Sequence, residues 1–503
     1  MSGIMNFDKT NSEFLHQQMQ GFNLTKALVN QELTGLFNSE TLRDMNHVME
    51  MYKVYLQGAD FTTDQSSNDW SPAQWHARQI KSLIDKEARF LFSEPPDIKL
   101  KDVKAQSSDN TRIDPNEQLL NRVLKRNHFN SKLVRGAKDC LIGKRIAIAV
   151  NFNETTGIDI SFIPSLEFIY ETDPADVDII TKFIQYYNIT VNNEKSQQRI
   201  YKKKWYMKDG YCRVVEAIYD GNANLIEEVV PDTTTRFTYI PVAIIINDGL
   251  SGDPFGISEV ESLEDTESWY SKLSNKDIDS LRKGTDQITY AVDAAPNTTK
   301  GLSRAPGSFW DIATDPASDG RSAQIGTLDN PMSYSPALGT TLQRLRADMH
   351  DQLDVPDISN EAMQGIITSG KTMQAIYWGL MVRCNEKMLD WGPAFQQMAE
   401  IILEGAQLYP EIAERYVSEP IVDGYSVEVE NSYPILQDET EEKSADILEV
   451  NAKVRSRKSY MKKWLGLTDS DVDAELQQIV LEMSLLEQEN YTPEPLETSE
   501  GEE

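Results

Sequence analysis

The chain has 503 residues, 40% of them hydrophobic, and a mean hydropathy of −0.48, which predicts a soluble, mostly ordered protein of about two to four domains. Its net charge of −31, from 49 Lys and Arg against 80 Asp and Glu, argues against a protein that grips duplex DNA over a broad surface, because such binding depends on neutralising phosphates. The sequence shows no membrane span and no secretion signal, and its three scattered cysteines favour a reducing, intracellular origin without disulfides or a zinc cluster.

The first third of the chain is predicted to be mainly helical. Residues 1–39 are polar and rich in Gln and Asn, and we expect a mobile arm there. A helix follows at about 39–55. Ser71-Pro72-Ala73-Gln74 forms a capping box that predicts the start of a second helix, ending before Pro95-Pro96. A third helix is predicted from Asp114-Pro115 to about Leu141.

From Lys144 to Asn247 the hydrophobic period changes to two, as in Ile146, Ile148 and Val150, which predicts antiparallel β-structure. Two turn sequences, 208–210 and 220–222, predict hairpins.

Two mid-length helices then bracket a Gly- and Pro-rich insertion. The first begins at a capping box formed by Ser258 and Glu261 and ends at Gly284. The second begins at Ser335-Pro336 and ends at Pro356. Its apolar stripe consists of Leu338, Leu342, Leu345, Met349 and Leu353. Short strands are predicted in the insertion at 287–292, 308–312 and 323–328.

A helix of about 35 residues, 370–404, is predicted after a loop, with a kink at Gly392-Pro393. At ~1.5 Å per residue this helix would reach ~50 Å, and the first helix of the pair ~35 Å. Rods of this length exceed what a compact core needs, so they suggest an assembly of side-by-side subunits. A strand at 425–430 and helices at about 438–456, 459–465 and 468–490 complete the prediction, and the acidic residues 491–503 are expected to be disordered.

The sequence lacks the patterns of the common catalytic sites. No complete phosphate-binding loop occurs, since Ser369-Gly370-Lys371-Thr372 repeats only the end of that motif without its upstream glycine. The five histidines are dispersed, and no nucleophile elbow is present. We therefore predict no catalytic residues, cofactor or metal, and a protein that is not an enzyme.

The element order of helix, β insertion, helix, loop and long helix resembles that of bacteriophage portal proteins, specifically the long-tailed siphophage portals. Two further segments resemble the same family: Trp75 to Pro96 with its Glu-Pro exit, and Val427 through Tyr433-Pro434-Ile435 to Asp438. The resemblance covers about residues 40–490. It rests on element order and scattered residues, since portals have no short signature motif.

The resemblance implies an α+β portal fold with a wing of helices and antiparallel strands, a helical stem, a small β clip, a long helix after a tunnel loop, and a helical crown. The corresponding ranges are an N-terminal arm at 1–39, the first part of the wing at 40–257, stem helices at 258–283 and 335–354, the clip at 284–334, the tunnel loop at 355–369, the long helix and second part of the wing at 370–424, the crown at 425–490, and an acidic tail at 491–503.

By resemblance, about twelve copies would form a ring at one capsid vertex of the virion, assembled in the host cytoplasm, through which double-stranded DNA enters during packaging and leaves during ejection. Implied partners are other copies, terminase, a head-completion or adaptor protein, the major capsid and scaffolding proteins, and transiently DNA without sequence specificity. An acidic channel wall would repel DNA, although the acidity equally serves solubility. An enzyme with an unrecognised active site and an acidic scaffolding protein without a channel are the alternatives.

Three sets of residues are candidates for function. In the tunnel loop, which Gly365 and Gly370 allow to flex, the family's pattern points to DNA contact by Asp357, Ile358, Glu361, Met363, Gly365, Ile366 and Lys371. An ordinary loop with Met363 and Ile366 in the core is the alternative. The stem carries Lys272, Lys276, Arg282, Lys283, Arg344 and Arg346, as a weak DNA-facing ring or as salt-bridge partners between subunits. The crown carries Arg455, Arg457, Lys458, Lys462 and Lys463, which either face DNA or neutralise the adjacent acidic helix.

Overall fold

The computed structural model describes residues 36–63, 71–102, 115–176, 178–190, 198–220, 224–250, 253–285, 288–296, 312–317, 320–328, 333–357, 370–421, 424–434, 439–465, 472 and 475–481. The chain divides into two compact units. The first comprises Met1–Asp357 and Tyr377–Pro434, and the second comprises Ile358–Ile376 and Ile435–Glu503. Helices and antiparallel strands are mixed along the chain, so the predicted α+β class is confirmed.

Four helices and one strand form the beginning of the first unit. They are α1 (Leu36–Gln57), α2 (Gln79–Phe92), β1 (Asp97–Asp102), α3 (Pro115–Arg126) and α4 (Phe129–Gly143). The predicted helix over 114–141 is divided at Asn127 and His128, and His128 has a φ of 50°. The side-chain amide of Asn127 donates to the carbonyl of Ile158 at 2.9 Å and accepts the N–H of Ile160 at 2.8 Å. The break between the two helices is therefore stabilised by hydrogen bonds to a distant strand.

Two antiparallel sheets confirm the β-structure predicted for 144–247. The first has the order β3-β2-β9 and the second the order β4-β5-β6-β7-β8. The strands are β2 (Arg145–Asn153), β3 (Gly157–Pro164), β4 (Phe168–Thr172), β5 (Ile180–Thr190), β6 (Gln198–Lys208), β7 (Tyr211–Tyr219), β8 (Leu225–Thr234) and β9 (Val242–Ile246). Asp209 and Gly210, both with positive φ, form the two-residue turn predicted between β6 and β7.

The paired helices follow as α5 (Glu259–Thr285) and α6 (Ser335–Gln352), with strands β10 (Ile288–Val292) and β11 (Gln324–Leu328) between them. Both helix predictions agree closely with these bounds. The predicted strand 308–312 falls mostly outside the described residues, and Thr314 forms an isolated bridge with Ala294. We call β10 and β11, which pair antiparallel, the ribbon.

The predicted helix of about 35 residues is divided in the structure. Residues Gly370–Ile376 form α7, and Trp378–Leu408 form α8, which runs through Pro393. The kink at Gly392-Pro393 stays a prediction. A short helix, α9 (Pro410–Ala413), follows, and the predicted strand β12 (Tyr425–Glu430) is confirmed, paired with β1. In the second unit lie α10 (Glu439–Asn451) and α11 (Arg457–Leu465), and residues 475–481 are helical.

The core lies between the helices and the two sheets. Met45 and Met49 of α1 pack against Ile184, Tyr186 and Ile200 of the five-stranded sheet. Helix α8 runs so close to the three-stranded sheet that a Cβ atom at Gly405 would lie 2.1 Å from the ring of Phe152. Glycine at this position therefore sets the distance between helix and sheet, and any larger residue would push them apart.

Candidate functional site, the paired helices and their attachments

Helix α5 begins inside the protein. The buried Ser258 hydroxyl accepts the N–H of Val260 at 3.2 Å and donates to the carbonyl of Ile142 at 2.7 Å, near the end of α4. One residue thus caps α5 and satisfies a free carbonyl of another helix. The reciprocal bond predicted from Glu261 is wrong, because the Glu261 carboxylate lies 3.0 Å from His47 Nε2 instead.

A buried ion cluster lies at the start of α5. The Glu259 carboxylate accepts hydrogen bonds from Arg383 and Lys387, which are four residues apart on α8. Arg383 Nε also donates to Glu87 of α2 at 3.0 Å, and Lys387 Nζ donates to Asn247 Oδ1 at 2.9 Å. Two carboxylates and two cations therefore join three helices at the start of α5.

The charged groups of this cluster differ in their hydrogen bonding and in the causes of their pKa shifts. Burial raises the pKa of Glu87 to about 7, the negative charge of Glu259 adds to the effect, and Arg383 opposes it. Among the described residues, Glu87 Oε2 has no hydrogen-bond partner. Burial lowers the pKa of Lys387, but the two carboxylates outweigh it and leave this pKa raised. Glu87 is thus the group of the cluster that titrates near neutral pH.

A row of buried polar side chains, spaced one turn apart, runs along α5. We call these four residues, Glu267, Ser271, Asn275 and Asp279, the polar stripe. Such a row is unusual on a helix that packs against its own chain, since buried polar groups require partners. The regular spacing of four is visible in the sequence, but the partner is not.

The partner of the polar stripe is the main chain of residues 73–80. The N–H of Ala73 donates to Asp279 at 3.0 Å, that of Trp75 to Asn275 at 2.7 Å, that of Ala77 to Ser271 at 3.2 Å, and those of Gln79 and Ile80 to Glu267 at 3.0 and 3.2 Å. Every second residue of an extended chain, about 6.5 Å apart, thereby meets every fourth residue of a helix, about 6.0 Å apart.

This arrangement corrects the predicted start of the second helix. The capping box at Ser71-Pro72-Ala73-Gln74 is wrong, because these residues are extended and the N–H of Ala73 is bonded to α5. Helix α2 begins at Gln79, after Arg78 with a φ of 53°. Glu267 of α5 supplies the cap that α2 needs, by accepting its first two N–H groups.

The two paired helices pack against each other, and Thr266 of α5 donates to Asp348 of α6 at 3.3 Å. The predicted apolar stripe of α6 is buried at its end, at Met349 and Leu353, and half-buried at Leu338, Leu342 and Leu345.

The predicted basic residues of the paired helices differ in their contacts. Arg282 bonds the Ser71 carbonyl at 3.0 Å and Asp279 at 3.2 Å, and Arg346 bonds Asp357 at 2.7 Å. Both are therefore engaged within the subunit. Lys272 lies over the ring of Trp269 at 4.8 Å, Lys276 and Arg344 are exposed, and the side chain of Lys283 lies outside the described residues.

The predicted tunnel loop is described as far as Asp357. Here the turn after α6 is fixed by His350, whose Nδ1 lies 2.8 Å from the Val355 carbonyl and whose Nε2 lies 3.7 Å from Asp357. The predicted loop residues Ile358, Glu361, Met363, Gly365 and Ile366 lie outside the described residues, and Lys371 belongs to α7, with a side chain that is also outside them.

The ribbon between the paired helices exposes apolar side chains. Tyr290 and Val292 of β10, on one face, are exposed, as is Ile325 of β11 on the other. Opposite Tyr290 stands Gly326, where a Cβ atom would lie 2.5 Å from the tyrosine ring, so the ring covers the glycine. Both faces thus offer apolar surface to a partner.

The predicted basic cluster of the second unit is partly neutralised within that unit. Asp446 of α10 accepts bonds from Arg455 at 2.5 Å, Lys463 at 3.0 Å and the indole of Trp464 at 2.6 Å. The bond from Lys463 is the main cause of the lowered pKa of Asp446. Two of the five predicted cations thus form ion pairs with the acidic helix beside them, and whether the cluster faces DNA stays a prediction. Arg457 and Lys462 are exposed, and Lys458 is half-buried.

Within the described residues, no three His, Cys, Asp or Glu side chains are grouped closely enough to hold a metal ion. In the same part of the chain, no helix combines the length and apolar character that crossing a membrane requires.

A model of the phage portal protein family, of the SPP1 Gp6-like type, matches residues 38–485. The chain belongs to this portal family. The resemblance stated from the sequence is thereby confirmed over nearly the predicted range. No curated protein gives a match.

Two solved structures are distantly similar to this portal family member. One is a chain from the neck of an empty GTA particle, computed with C6 symmetry, at 11% identity and a TM-score of 0.41, covering 77% of this chain and 89% of that one. The other is a chain from the virion of a native gene transfer agent particle, at 11% identity and a TM-score of 0.38, covering 78% and 89%.

Portal proteins are structural, non-enzymatic components of the virion located at the capsid vertex, which indicates self-assembly into a ring and association with the capsid. Membership of this family favours a structural role over the alternative of an enzyme with an unrecognised active site.

Proposed function

We propose that the chain forms a ring of about twelve subunits around a channel for double-stranded DNA, which enters during packaging and leaves during ejection. In this proposal α5 and α6 are the stem, the ribbon belongs to the clip, residues 355–369 are the tunnel loop, and residues 425–490 form the crown. The clip would dock terminase and later a head-completion protein, and the wing would contact capsid and scaffolding proteins.

The observation that carries this proposal is the exposed apolar surface of α5. Trp269 is 55% exposed and Leu281 47%, and Ile278 is also exposed. Trp269 and Ile278 are nine residues apart, about two and a half turns, so they lie on opposite sides of the helix. A helix in a ring has one neighbour on each side, and both neighbours would cover such side chains.

The placement of the basic residues supports a conduit rather than a protein that grips DNA. Arg282 and Arg346 are bonded to acceptors of the same subunit, so their charge is partly neutralised. The chain as a whole carries a charge of −31. Together these features favour weak, transient contact with phosphates over tight binding.

The experiment that tests ring formation uses Trp269→Glu combined with Ile278→Glu. A charge on each side of α5 should leave the subunit folded but prevent closure of the ring, because each carboxylate would be buried at a subunit contact. Negative-stain images and sedimentation should show rings with a central hole for the parent protein and small species for the variant. Lys276→Gln, on the same exposed part of the helix, is the control and should form rings. A parent protein that stays monomeric at micromolar concentration would refute the proposal.

A further inference from the structure

Phe90 of α2 stacks with two tyrosine rings. The ring of Tyr377 is 5.5 Å away with an interplanar angle of 3°, and the ring of Tyr433 is 5.3 Å away with an angle of 10°. Near-parallel rings at these separations are in the range of favourable stacking. Two tyrosines thus pack on one phenylalanine, which is 9% exposed.

The two tyrosines occupy special positions in the chain. Tyr377 directly follows the stretch Ile358–Ile376, and Tyr433 stands one residue before Pro434, after which Ile435–Glu503 begins. These two stretches make up the second compact unit, and the stack itself lies within the first. Two of the three chain connections between the units therefore begin at, or next to, a residue that stacks with the same ring.

Phe90 is held firmly from its own helix. Glu87, one turn earlier on α2, is bonded to Arg383 of α8, and Phe92 packs edge-on against Trp391 and Phe395 at 4.9 and 5.9 Å. Helix α2 is thus attached to α8 on both sides of Phe90. The main chain at Phe90 is therefore held in place, whereas the orientation of its ring depends on the side chains stacked with it.

We propose that Phe90 is a positioning residue that couples the two connections, so that loosening one changes the freedom of the other. When one tyrosine leaves, the Phe90 ring gains freedom to turn, and the other tyrosine then loses part of its stacking contact. The consequence for function rests on the proposed function. There, residues 358–369 belong to the loop in the channel (355–369) and residues 435–490 to the crown (425–490), so a disturbance of the loop would reach the crown through this ring.

The test is amide hydrogen exchange on the full-length protein, read in residues 370–376 and 439–451. Tyr433→Leu should accelerate exchange about two- to tenfold in the segment that follows it, 439–451, and also in 370–376. Tyr377→Leu should accelerate exchange in the segment that precedes it, 370–376, and also in 439–451. Phe90→Leu should accelerate both, and Phe90→Tyr, which keeps the ring, should accelerate neither. Tyr433→Phe is the matched control, because it removes the bond to Asn385 Oδ1, 2.8 Å long, but keeps the stack.

Two results would overturn the coupling. If each tyrosine variant loosens its own segment alone, the two rings are independent anchors. If exchange also rises throughout α2, the stack has a general structural role. The hydrogen-exchange test does not depend on a channel. A protein that fails to form rings could still show the coupling, and a ring-forming protein could lack it, so the coupling and the proposed function can fail separately.

Discussion

The side-chain amide of Asn275 accepts a hydrogen bond from the main-chain N–H of Trp75 at 2.7 Å and donates one to the carbonyl of the same residue at 2.6 Å. A side chain of α5 thereby does what a neighbouring strand does in a sheet, by satisfying both polar groups of one extended residue. Residues 73–80 are attached to α5 through such bonds, from one turn of the helix to the next.

Asn275→Ala should lower the free energy of unfolding by about 2 kcal/mol, because it leaves the N–H and the carbonyl of Trp75 without their partner in a partly buried place. Urea unfolding measures the loss. The exposed neighbour Lys276→Ala is the control and should stay within about 0.5 kcal/mol of the parent protein. Equal stabilities of the two variants would contradict the role given to the polar stripe.

Arg383→Met should destabilise the protein more strongly, by about 3–5 kcal/mol, because it leaves the buried Glu87 and Glu259 with Lys387 as their remaining cation. Glu386→Gln, at an exposed position of the same helix, provides the comparison and should have little effect. The measurement is again chemical unfolding, at pH 8, above the pKa of about 7 of Glu87. A loss below about 1 kcal/mol would show that the cluster relaxes or admits water.

The stability of the protein should depend on pH through Glu87. Its native pKa of about 7 lies above the ordinary value, so the native state holds the proton more tightly than the unfolded state does. The resulting stabilisation is fully present below the unfolded pKa, near 4.5, and is lost as the pH rises through 7. Between these limits the slope is at most about 1.4 kcal/mol per pH unit.

Glu87→Gln removes this titration, so the stability of the variant relative to the parent protein should improve between pH 5 and pH 7.5. Melting temperatures measured across that range give the comparison. Parallel pH profiles for the two proteins would show that Glu87 is ionised throughout.

Shortening the loop within residues 358–367 should preserve folding and ring assembly yet reduce the DNA that is packaged or retained. Helix α6 buries Met349 and Leu353, and α8 buries its own residues such as Trp391 and Phe395, so neither depends on the loop for packing. A change of loop length costs about 0.6 kcal/mol per doubling.

The assay for the loop variant is the length of DNA protected in particles. Deleting residues 491–503 serves as the assembly control, since this acidic segment has few apolar side chains and rings should still form. Full-length DNA packaged at the parent rate by the loop variant would rule out a contact between the loop and DNA.

The sequence alone predicted those elements whose signals are local. Ser258 and Pro336 mark the starts of α5 and α6 to within a residue, and the alternation from Ile146 to Val150 predicts β2. The start of α2 was wrong because its deciding partner, Glu267, lies almost 190 residues away, and a capping box at Ser71 satisfies every local rule. The division at Tyr377 is likewise not marked by a proline, and Gly379 lies within the first turn of α8 rather than at the break.

The candidate site was less predictable than the fold. The basic residues of the pair are predicted to form either a weak DNA-facing ring or salt bridges between subunits, and the structure adds that Arg282 and Arg346 bond acceptors of their own subunit. The sequence does not predict a role for Arg383 and Lys387, because their role depends on ion pairs with Glu259, which lies on another helix. The four-residue spacing of the polar stripe was the one signal that could have been found.

The polar stripe also determines the alignment of the extended segment. Its acceptors receive the N–H groups of Ala73, Trp75, Ala77 and Gln79. A slip of one residue toward the N-terminus would bring Pro72, which has no N–H, opposite Asp279, and would leave Arg282 as the donor to this buried carboxylate. Proline at position 72 thus disfavours this wrong alignment during folding, and the loss of a main-chain hydrogen bond, rather than side-chain shape, distinguishes it from the correct one.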